Sequence, residues 1–298
     1  MNCVRLLMAA VVLCALTTRA DAATPTSGDS AKPRQTAAQF MATLKPQHGT
    51  VDLPGGVATL SLNDDFYYLT PQDTERLLVE GWGNPPGHTT LGMIVPQATS
   101  PMSHGGWGVL VSYKDDGHVS DEDAAKIDYT EMLKQMQEDD VENNNERRKQ
   151  GYAGLQLLGW AEPPHYDDQS HKMYWARELK ADNTDENTLN YSIRVLGRQG
   201  VLELNAVASM SDLATIQREM PHVLAFTNFT DGNRYADYEP GTDKLAKYGL
   251  AALVAGGLAA KAGLFAKIGV LLLAAKKFLV VGLMVAVGVV RKFFNRNK

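Results

Sequence analysis

Residues 189–208, with the sequence LNYSIRVLGRQGVLELNAVA, decide the fold. The first eight and the last eight of these residues are rich in apolar and β-branched side chains, and a short Gly-Arg-Gln-Gly segment separates them. This pattern predicts two antiparallel strands joined by a tight turn. Because Arg194 lies between Ile193 and Val195, we expect one face of this hairpin to be polar and the other apolar.

The segments around this hairpin supply further strands and helices. Short apolar runs bounded by turn residues predict strands, and capping residues before apolar periods predict helices. The predicted strands lie within 50–62, 91–95, 107–113, 155–160 and 173–179, and the predicted helices lie at 70–80, from 120–123 onward, and at 211–220. Because strands and helices do not alternate as a doubly wound parallel sheet requires, we expect an α+β fold with an antiparallel sheet and helices packed on it.

The N-terminus has the features of a secretory signal peptide over residues 1–22. Arg5 supplies a positive charge, an apolar run of 12 residues follows, and an Ala-Asp-Ala motif ends the segment. An uncleaved anchor is the alternative, although the apolar run is short for a membrane span. Both cysteines lie in this segment, so the mature chain would contain no thiol. We expect a flexible arm over 23–45 and an exported α+β domain over 46–243.

The C-terminal segment 244–298 contains ten Lys or Arg residues and no acidic residue. It predicts a basic amphipathic or apolar helix over 244–267, a transmembrane helix over 268–290 and a basic cytoplasmic tail over 291–298. The fourteen Leu, Ile, Val and Phe residues of the span favour insertion by about 7 kcal/mol. Its two central lysines oppose insertion by about 5 to 7 kcal/mol, so the balance is close to zero.

Several cations of this segment are expected to anchor it in the bilayer. Lysine side chains can extend toward the lipid headgroups, and basic residues at the end of a span resist translocation. The expected anchoring residues are Lys261, Lys267, Lys276, Lys277, Arg291 and Lys292. We therefore predict a single-pass protein of the cell membrane, with its N-terminal domain outside the cytoplasm and its C-terminus inside. The alternatives are a buried core helix, and a two-segment hairpin that would place the basic tail outside.

Charge is distributed asymmetrically along the chain. Residues 23–243 hold 17 of the 29 Lys and Arg residues and 33 of the 34 Asp and Glu residues, which gives a net charge of −16. Such a domain repels phosphate backbones, so nucleic acid is excluded as a partner. The expected partners are the lipid bilayer and an envelope protein, and the acidic surface would attract cations or basic peptides.

Four side chains between two predicted strands could carry chemistry. The candidate catalytic residues are His165, Asp167, Asp168 and His171. Imidazole and carboxylate groups act as general acids and bases and as metal ligands, but this spacing matches no standard metal site. We therefore predict no metal and no cofactor and interpret this segment as a solvated loop, with a divalent-metal site as the alternative. The acidic segment 115–123 is interpreted as a turn and helix cap, because Lys114 would occupy a ligand position of an EF-hand loop.

A second set of side chains could bind a ligand. These candidates are Arg194, Arg198, Trp160 and Trp82. In an acidic domain we expect the two arginines to be paired with carboxylates, and a pocket for an anionic ligand is the alternative. The two tryptophans lie in similar Gly-Trp and Pro-Pro segments 78 positions apart. That similarity leaves open whether the chain contains an internal repeat.

Five dispersed runs carry a resemblance to a known family. They are WGNPPG at 82–87, LGMIVP at 91–96, GWAEPPHY at 159–166, LNYSIRVLGR at 189–198 and AAKAGLFAK at 259–267. With these runs the chain resembles a bacterial family of predicted membrane-anchored proteins that is classed as a domain of unknown function. The resemblance covers nearly the whole mature chain and implies a membrane anchor and a bacterial source. It implies no activity and no catalytic residues.

These observations predict a membrane-anchored cell-envelope protein whose acidic exported domain binds, senses or interacts rather than catalyses a reaction. The alternative is an envelope hydrolase or metal-dependent enzyme that uses His165 or His171 with the neighbouring carboxylates. In a third interpretation the C-terminal helical segment itself acts in the bilayer. Convergence of these side chains beside a cleft would favour an enzyme, and side chains that point apart would favour a binding protein.

Overall fold

The computed structural model describes residues 35–84, 86–149, 151, 153–182 and 184–256. Within them the chain forms a seven-stranded and a three-stranded antiparallel sheet with a few helices, which confirms the predicted α+β class. The predicted signal peptide, transmembrane helix and basic tail lie outside the described residues, together with Lys261, Lys267, Lys276, Lys277, Arg291 and Lys292. Among the helices that are described, none has the length and hydropathy needed to cross a membrane.

The strands include the hairpin that decides the fold. In the described residues they are β1 (Thr50–Asp52), β2 (Ala58–Ser61), β3 (Phe66–Leu69), β4 (Gly92–Pro96), β5 (Gly108–Lys114), β6 (Leu155–Asp167), β7 (Lys172–Ala181), β8 (Thr188–Leu196), β9 (Val201–Ser209) and β10 (Thr227–Phe229). The larger sheet has the order β3-β4-β5-β9-β8-β7-β6, and the smaller sheet has the order β1-β2-β10. The hairpin predicted over 189–208 is confirmed as β8 and β9.

The helices contain fewer residues in total than the strands, although α3 and α4 are each longer than any single strand. Those described are α1 (Ala37–Met41), α2 (Pro71–Arg76), α3 (Tyr129–Lys149), α4 (Leu213–Phe226) and α5 (Leu250–Ala255). A π-helical turn extends α2 to Gly81, where the sequence predicts its end. The long helix α3 begins later than predicted, because Asp128 accepts hydrogen bonds from the backbone N–H groups of Thr130 and Glu131, both at 3.0 Å, and so caps it.

One face of the larger sheet packs against α4 and the smaller sheet. Ile193 and Val195 of β8 are buried in this core, as the alternation in the sequence predicts. Helix α4 does not end at Met220 but continues through Pro221. An internal proline costs about 3 kcal/mol, and burial of Val223 and Phe226 in the last turn stabilises the helix by about 1.5 to 3 kcal/mol each.

The opposite face of the larger sheet packs against α5 and the start of α3. Leu250, Leu253 and Val254 of α5 are buried there with residues of β7. The helix predicted over 244–267 therefore does not begin at Lys244. Leu245 instead pairs with His118 in an isolated parallel bridge. Helix α5 is short, and Gly256 ends it at φ +81°. The packed domain thus extends beyond its predicted boundary at residue 243.

The arm predicted over 23–45 is partly built into the fold. Thr36 and Gln39 form a capping box at the start of α1, and Phe40 and Leu44 are buried in a cluster with residues of α2, β3 and β4. The end of this segment is therefore part of the packed domain. Its sequence is mostly polar, and the burial of Phe40 and Leu44 depends on contacts with distant residues.

Helix α3 covers the exposed edge of the larger sheet. Asn144 accepts a hydrogen bond from the Leu155 N–H at 2.6 Å and donates to the Leu155 carbonyl at 3.3 Å. Asp140, one helical turn earlier, accepts from the Leu157 N–H at 2.6 Å. Polar side chains of α3 therefore bond the backbone of β6 as a neighbouring strand would, and this protects the edge strand from pairing with another chain.

Candidate functional site

The polar side chains that could carry a function converge between the larger sheet and the end of the described chain. We call residues 234–256 and the sheet face they cover the C-terminal layer. It contains two groups of polar side chains. The His–Tyr cluster consists of His118, Asp121, Tyr166, His171, Tyr235 and Tyr238. The arginine row consists of Trp175, Arg177 and Arg194.

The acidic turn predicted at 115–123 binds the C-terminal residues. The His118 N–H donates to the Lys244 carbonyl, and the Ala246 N–H donates to the His118 carbonyl, both at 2.8 Å. The Tyr248 hydroxyl donates to Asp116 at 2.7 Å. No group of three or more His, Cys, Asp or Glu side chains in the described part of the chain could hold a metal ion. The turn thus fastens the C-terminal residues to the domain.

Four aromatic rings stack in a row in the His–Tyr cluster. The His118 ring lies between Tyr238, with ring centroids 3.9 Å apart, and Tyr235, at 4.2 Å. The His171 ring stacks on Tyr235 at 4.0 Å. His171 has φ +52°, which is uncommon for a residue with a side chain. The ring stacking and a hydrogen bond from the Leu196 N–H to the His171 carbonyl, at 2.9 Å, hold this turn in place.

Hydrogen bonds connect this stack to one carboxylate. The Tyr166 hydroxyl donates to Asp121 at 2.6 Å. The Nδ1 atom of His171 lies 3.1 Å from the same hydroxyl and 3.4 Å from the Asp121 carboxylate. The Asp121 carboxylate, the Tyr166 hydroxyl and the His171 ring therefore lie within bonding distance of one another.

The ionisation states in the cluster follow from burial and from these hydrogen bonds. Burial lowers the pKa of His118, against the opposing effect of the Gly197 and Arg198 backbone, so this imidazole is neutral at pH 7. Burial favours the neutral form of Asp121, but the hydrogen bond from Tyr166 and the neighbouring Tyr235 hydroxyl outweigh it and lower the pKa of Asp121. Burial and the Asp121 charge raise the pKa of both phenols. The tyrosines are therefore neutral donors and not activated nucleophiles.

The structure does not bring the four predicted catalytic residues together. His165 and Tyr166 are adjacent on β6 and face opposite sides of the sheet. His165 therefore lies beside Tyr174, with ring centroids 5.1 Å apart, whereas His171, in the turn after β6, joins Tyr166 in the His–Tyr cluster. Asp167 accepts hydrogen bonds from the Gln169 N–H and the Ser170 hydroxyl within its own turn. Asp168 is exposed in the same turn. His171 alone of the four lies in the His–Tyr cluster.

The two predicted arginines are paired with carboxylates, as expected. Arg198 donates to both oxygens of Asp243, at 2.7 and 3.1 Å. Arg194 lies 3.2 Å from Glu203. They occupy different places, because Arg198 is in the loop after β8 and Arg194 is buried on the sheet face beneath the C-terminal layer.

The two predicted tryptophans do not share a groove. Trp82 donates to the Pro101 carbonyl at 2.8 Å beside α1 and α2, whereas Trp160 donates to the Tyr129 carbonyl at 3.1 Å beside α3. Trp82 follows a helical turn and Trp160 lies within β6. Their similar sequence segments therefore do not form a structural repeat.

The arginine row lies on neighbouring positions of β7 and β8. The guanidinium carbon of Arg194 lies 5.0 Å from the centre of the Trp175 ring, and that of Arg177 lies 5.9 Å from it. Arg177 also donates to the carbonyl of Val254 in α5. Burial, together with repulsion from Arg194, lowers the pKa of Arg177 to about 10, which leaves it charged at neutral pH.

Sequence reasoning missed most of these residues because their partners are distant in the chain. Tyr235 donates to the carbonyl of Val119, 116 positions away, and Arg177 and Val254 are 77 positions apart. One local signal existed. Trp175 and Arg177 alternate on β7 as Arg194 does on β8, so pairing these two strands would have placed the three side chains on one face.

Comparisons with solved structures give only weak likenesses. The cyanobacterial PsbP protein of Synechocystis sp. is 10% identical, with 63% of this chain and 94% of that chain covered and a TM-score of 0.33. A mutant of the protein Mog1 is 9% identical, with coverage of 63% and 97% and a TM-score of 0.32. The Saccharomyces cerevisiae Ran-binding protein Mog1p is 10% identical, with coverage of 59% and 84% and a TM-score of 0.29. These values carry no argument about function.

Comparison of sequences identifies the family. No curated protein matches the chain. One family model, described as "Protein of unknown function (DUF2167)", matches residues 45–288. This range begins directly after α1 and Leu44 and covers the rest of the packed domain and most of the C-terminal segment. The family is classed as a domain of unknown function, as the resemblance in the sequence implies. The chain therefore belongs to the DUF2167 family of proteins of unknown function.

Proposed function

We propose that this protein is a membrane-tethered cell-envelope protein whose acidic domain binds a partner and does not catalyse a reaction. The observation that carries the proposal is the direct connection between the domain and the C-terminal segment. Lys244, Ala246 and Tyr248 bond the acidic turn, and Leu250, Leu253 and Val254 are buried against the sheet. The residues that follow begin the apolar segment with its lysines. In such an arrangement the domain would be held close to the bilayer and would transmit changes to the span.

The charges support the same arrangement. The domain carries a net charge of −16 over residues 23–243, and the ten cations of 244–298 have no acidic neighbour in that segment. Anionic lipid would repel the acidic body and attract the basic ends of the span. The acidic surface would then face away from the bilayer, where a basic partner could reach it.

The polar side chains of the C-terminal layer favour binding over catalysis. Tyr166 and Asp121 form a short hydrogen bond between a neutral phenol and a carboxylate, which supplies no nucleophile. His165 and His171 face opposite sides of the hairpin and cannot act on one substrate together. The hydrolase alternative would have to use His171 with Asp121, and both of these side chains already bond the Tyr166 hydroxyl.

Site-specific labelling in intact bacterial cells tests the proposed topology. If the signal peptide is removed, the mature chain has no cysteine, so a single cysteine reports one position. We would compare Asp231→Cys, at an exposed side chain of the domain, with Lys298→Cys at the C-terminus, using a maleimide that cannot cross the cytoplasmic membrane.

We expect both variants to sediment with membranes. Asp231→Cys should react as soon as the maleimide can reach the outer surface of the cytoplasmic membrane, whereas Lys298→Cys should react only after the cells are lysed. Recovery of the protein in the soluble fraction, or equal protection of both cysteines before lysis, would refute the tether. Crosslinking from the labelled Asp231→Cys position would then identify the neighbouring protein.

A further inference from the structure

Two buried hydrogen-bond donors on the same side of the larger sheet have no acceptor. They are the Nε atom of Arg177 and the Nε1 atom of Trp175, neither of which has a hydrogen-bond partner in the described part of the chain. Beside them lies the buried Arg194, whose Nε atom is 3.2 Å from the Glu203 carboxylate. A buried donor without a partner costs about 1 to 3 kcal/mol, so two in one place indicate that an acceptor group belongs there.

These donors lie close to one another. Both guanidinium carbons lie within 6 Å of the centre of the Trp175 ring, at 5.0 and 5.9 Å. Arg194 already donates to the Ile193 carbonyl at 2.9 Å and to the Asn205 amide oxygen at 3.3 Å, and Arg177 already donates to the Val254 carbonyl, so protein partners hold both side chains in place. Two oriented guanidinium groups and an indole N–H match the oxygens of a tetrahedral anion.

The local charge also favours an anion, although the whole domain is acidic. Lys114 lies 2.9 Å from Glu203, and Glu203 also lies 3.2 Å from Arg194, so one carboxylate serves two cations. Arg177 is attracted only by Asp140 and is repelled by Arg194. These three cations therefore share the carboxylates of Glu203 and Asp140.

We propose that Trp175, Arg177 and Arg194 form a binding site for a phosphate group, carried either by free phosphate or by a lipid headgroup. Arg177 is partly exposed and bonds the last turn of α5, immediately before the apolar C-terminal segment begins. A headgroup at the bilayer surface would reach the site from that end. The lipid form of this inference rests on the proposed membrane tether, and the free-phosphate form does not.

The test uses the full chain, without its signal peptide, in a phosphate-free maltoside detergent. Isothermal titration calorimetry measures binding of inorganic phosphate and, separately, of a short-chain phosphatidic acid, with potassium chloride as the control for ionic strength. The variant Arg177→Gln removes one donor group of the site. The matched control Arg148→Gln removes an exposed arginine that pairs with Asp182 at 2.7 Å on the far side of α3.

We expect wild type and Arg148→Gln to bind with equal affinity and Arg177→Gln to bind about tenfold more weakly or not at all. Binding of both probes assigns the site to the phosphate group, binding of the lipid alone assigns it to a headgroup, and binding of inorganic phosphate alone assigns it to the free anion. Trp175→Phe keeps the aromatic ring and removes its N–H, so it should weaken binding even if Arg177→Gln fails to fold.

Absence of binding by the wild type, or wild-type affinity in both Arg177→Gln and Trp175→Phe, would overturn the inference. The membrane topology is measured separately by cysteine labelling. If the protein binds phosphate but is not tethered to the membrane, the proposed function is refuted and the phosphate site stands. If the protein is tethered but binds no phosphate, the phosphate site is refuted and the proposed function stands.

Discussion

Replacing Leu250 with alanine tests whether the C-terminal layer is part of the folded domain. Leu250 begins α5 and is 0% exposed, and it packs among buried residues of the opposite sheet face. The change removes three carbon atoms from this core, which costs about 2.4 kcal/mol of burial free energy at about 0.8 kcal/mol each. The cavity left behind adds to this cost, so we expect a loss of about 3 to 4 kcal/mol.

The matched control is the same substitution at Leu245, five residues earlier in the same segment. Leu245 is 54% exposed, so Leu245→Ala should cost less than about 1 kcal/mol. Domains of this size are stable by about 5 to 15 kcal/mol, so the loss expected at Leu250 is a large fraction of the total. A difference of about 3 kcal/mol between the variants corresponds to a more than hundredfold change in the unfolding equilibrium.

The measurement is urea unfolding of the full chain in detergent, followed by tryptophan fluorescence, with both variants compared to wild type. Trp175 and Trp160 lie in the same cluster as Leu250, so their emission reports unfolding of this region. Equal unfolding midpoints for the two variants would refute the reasoning, because they would show that α5 is not packed against the domain. A separate early transition confined to Leu250→Ala would show that α5 unfolds on its own.

Two further substitutions test other parts of the fold. Asn144→Ala removes both hydrogen bonds to Leu155 and should destabilise the protein by about 1 to 3 kcal/mol, whereas Asn145→Ala at the exposed neighbouring position should have little effect in the same urea assay. The lowered pKa of His118 means that the unfolded chain binds a proton near pH 6.5 when the folded chain does not, so stability should fall as the pH decreases below about 6.5. His118→Phe keeps a ring between the tyrosines and should flatten this dependence between pH 7 and 5.5, at about 1.4 kcal/mol for each unit of pKa depression; an unchanged pH profile would contradict the assignment.

Local sequence patterns were sufficient to predict those strands of the sheet that have one polar and one apolar face. The alternation around Arg194 marks β8 because its neighbours Ile193 and Val195 enter the core on the other face. Strand β3 escaped prediction because all four of its residues, Phe66 to Leu69, are buried and show no alternation. The end of α4 was misplaced because a proline is a strong local signal for a helix end, and the burial of Phe226 that overrides it is a tertiary effect.

The candidate site was harder to predict because it depends on contacts between distant segments. His171 was recognised from its residue type, but its partners Asp121 and Tyr235 come from a turn 50 positions earlier and a turn 64 positions later. The ion pair of Arg194 could be predicted from the charge of the domain, because an arginine in an acidic protein has many carboxylates nearby. Its closeness to Trp175 required the register between β7 and β8, which a single sequence does not supply.

Hydrogen exchange along residues 244–256 tests the central claim of this account most directly. The Ala246 N–H is bonded to the His118 carbonyl at 2.8 Å, and the Gly256 N–H is bonded to the Ala252 carbonyl at 3.1 Å. We predict that in the full chain these amides exchange as slowly as those of the β8–β9 hairpin, since they open only when the domain unfolds. Exchange at the rate of an unstructured peptide, with β8 and β9 still protected, would contradict the account, because the domain would then be joined to the C-terminal segment by a loose linker.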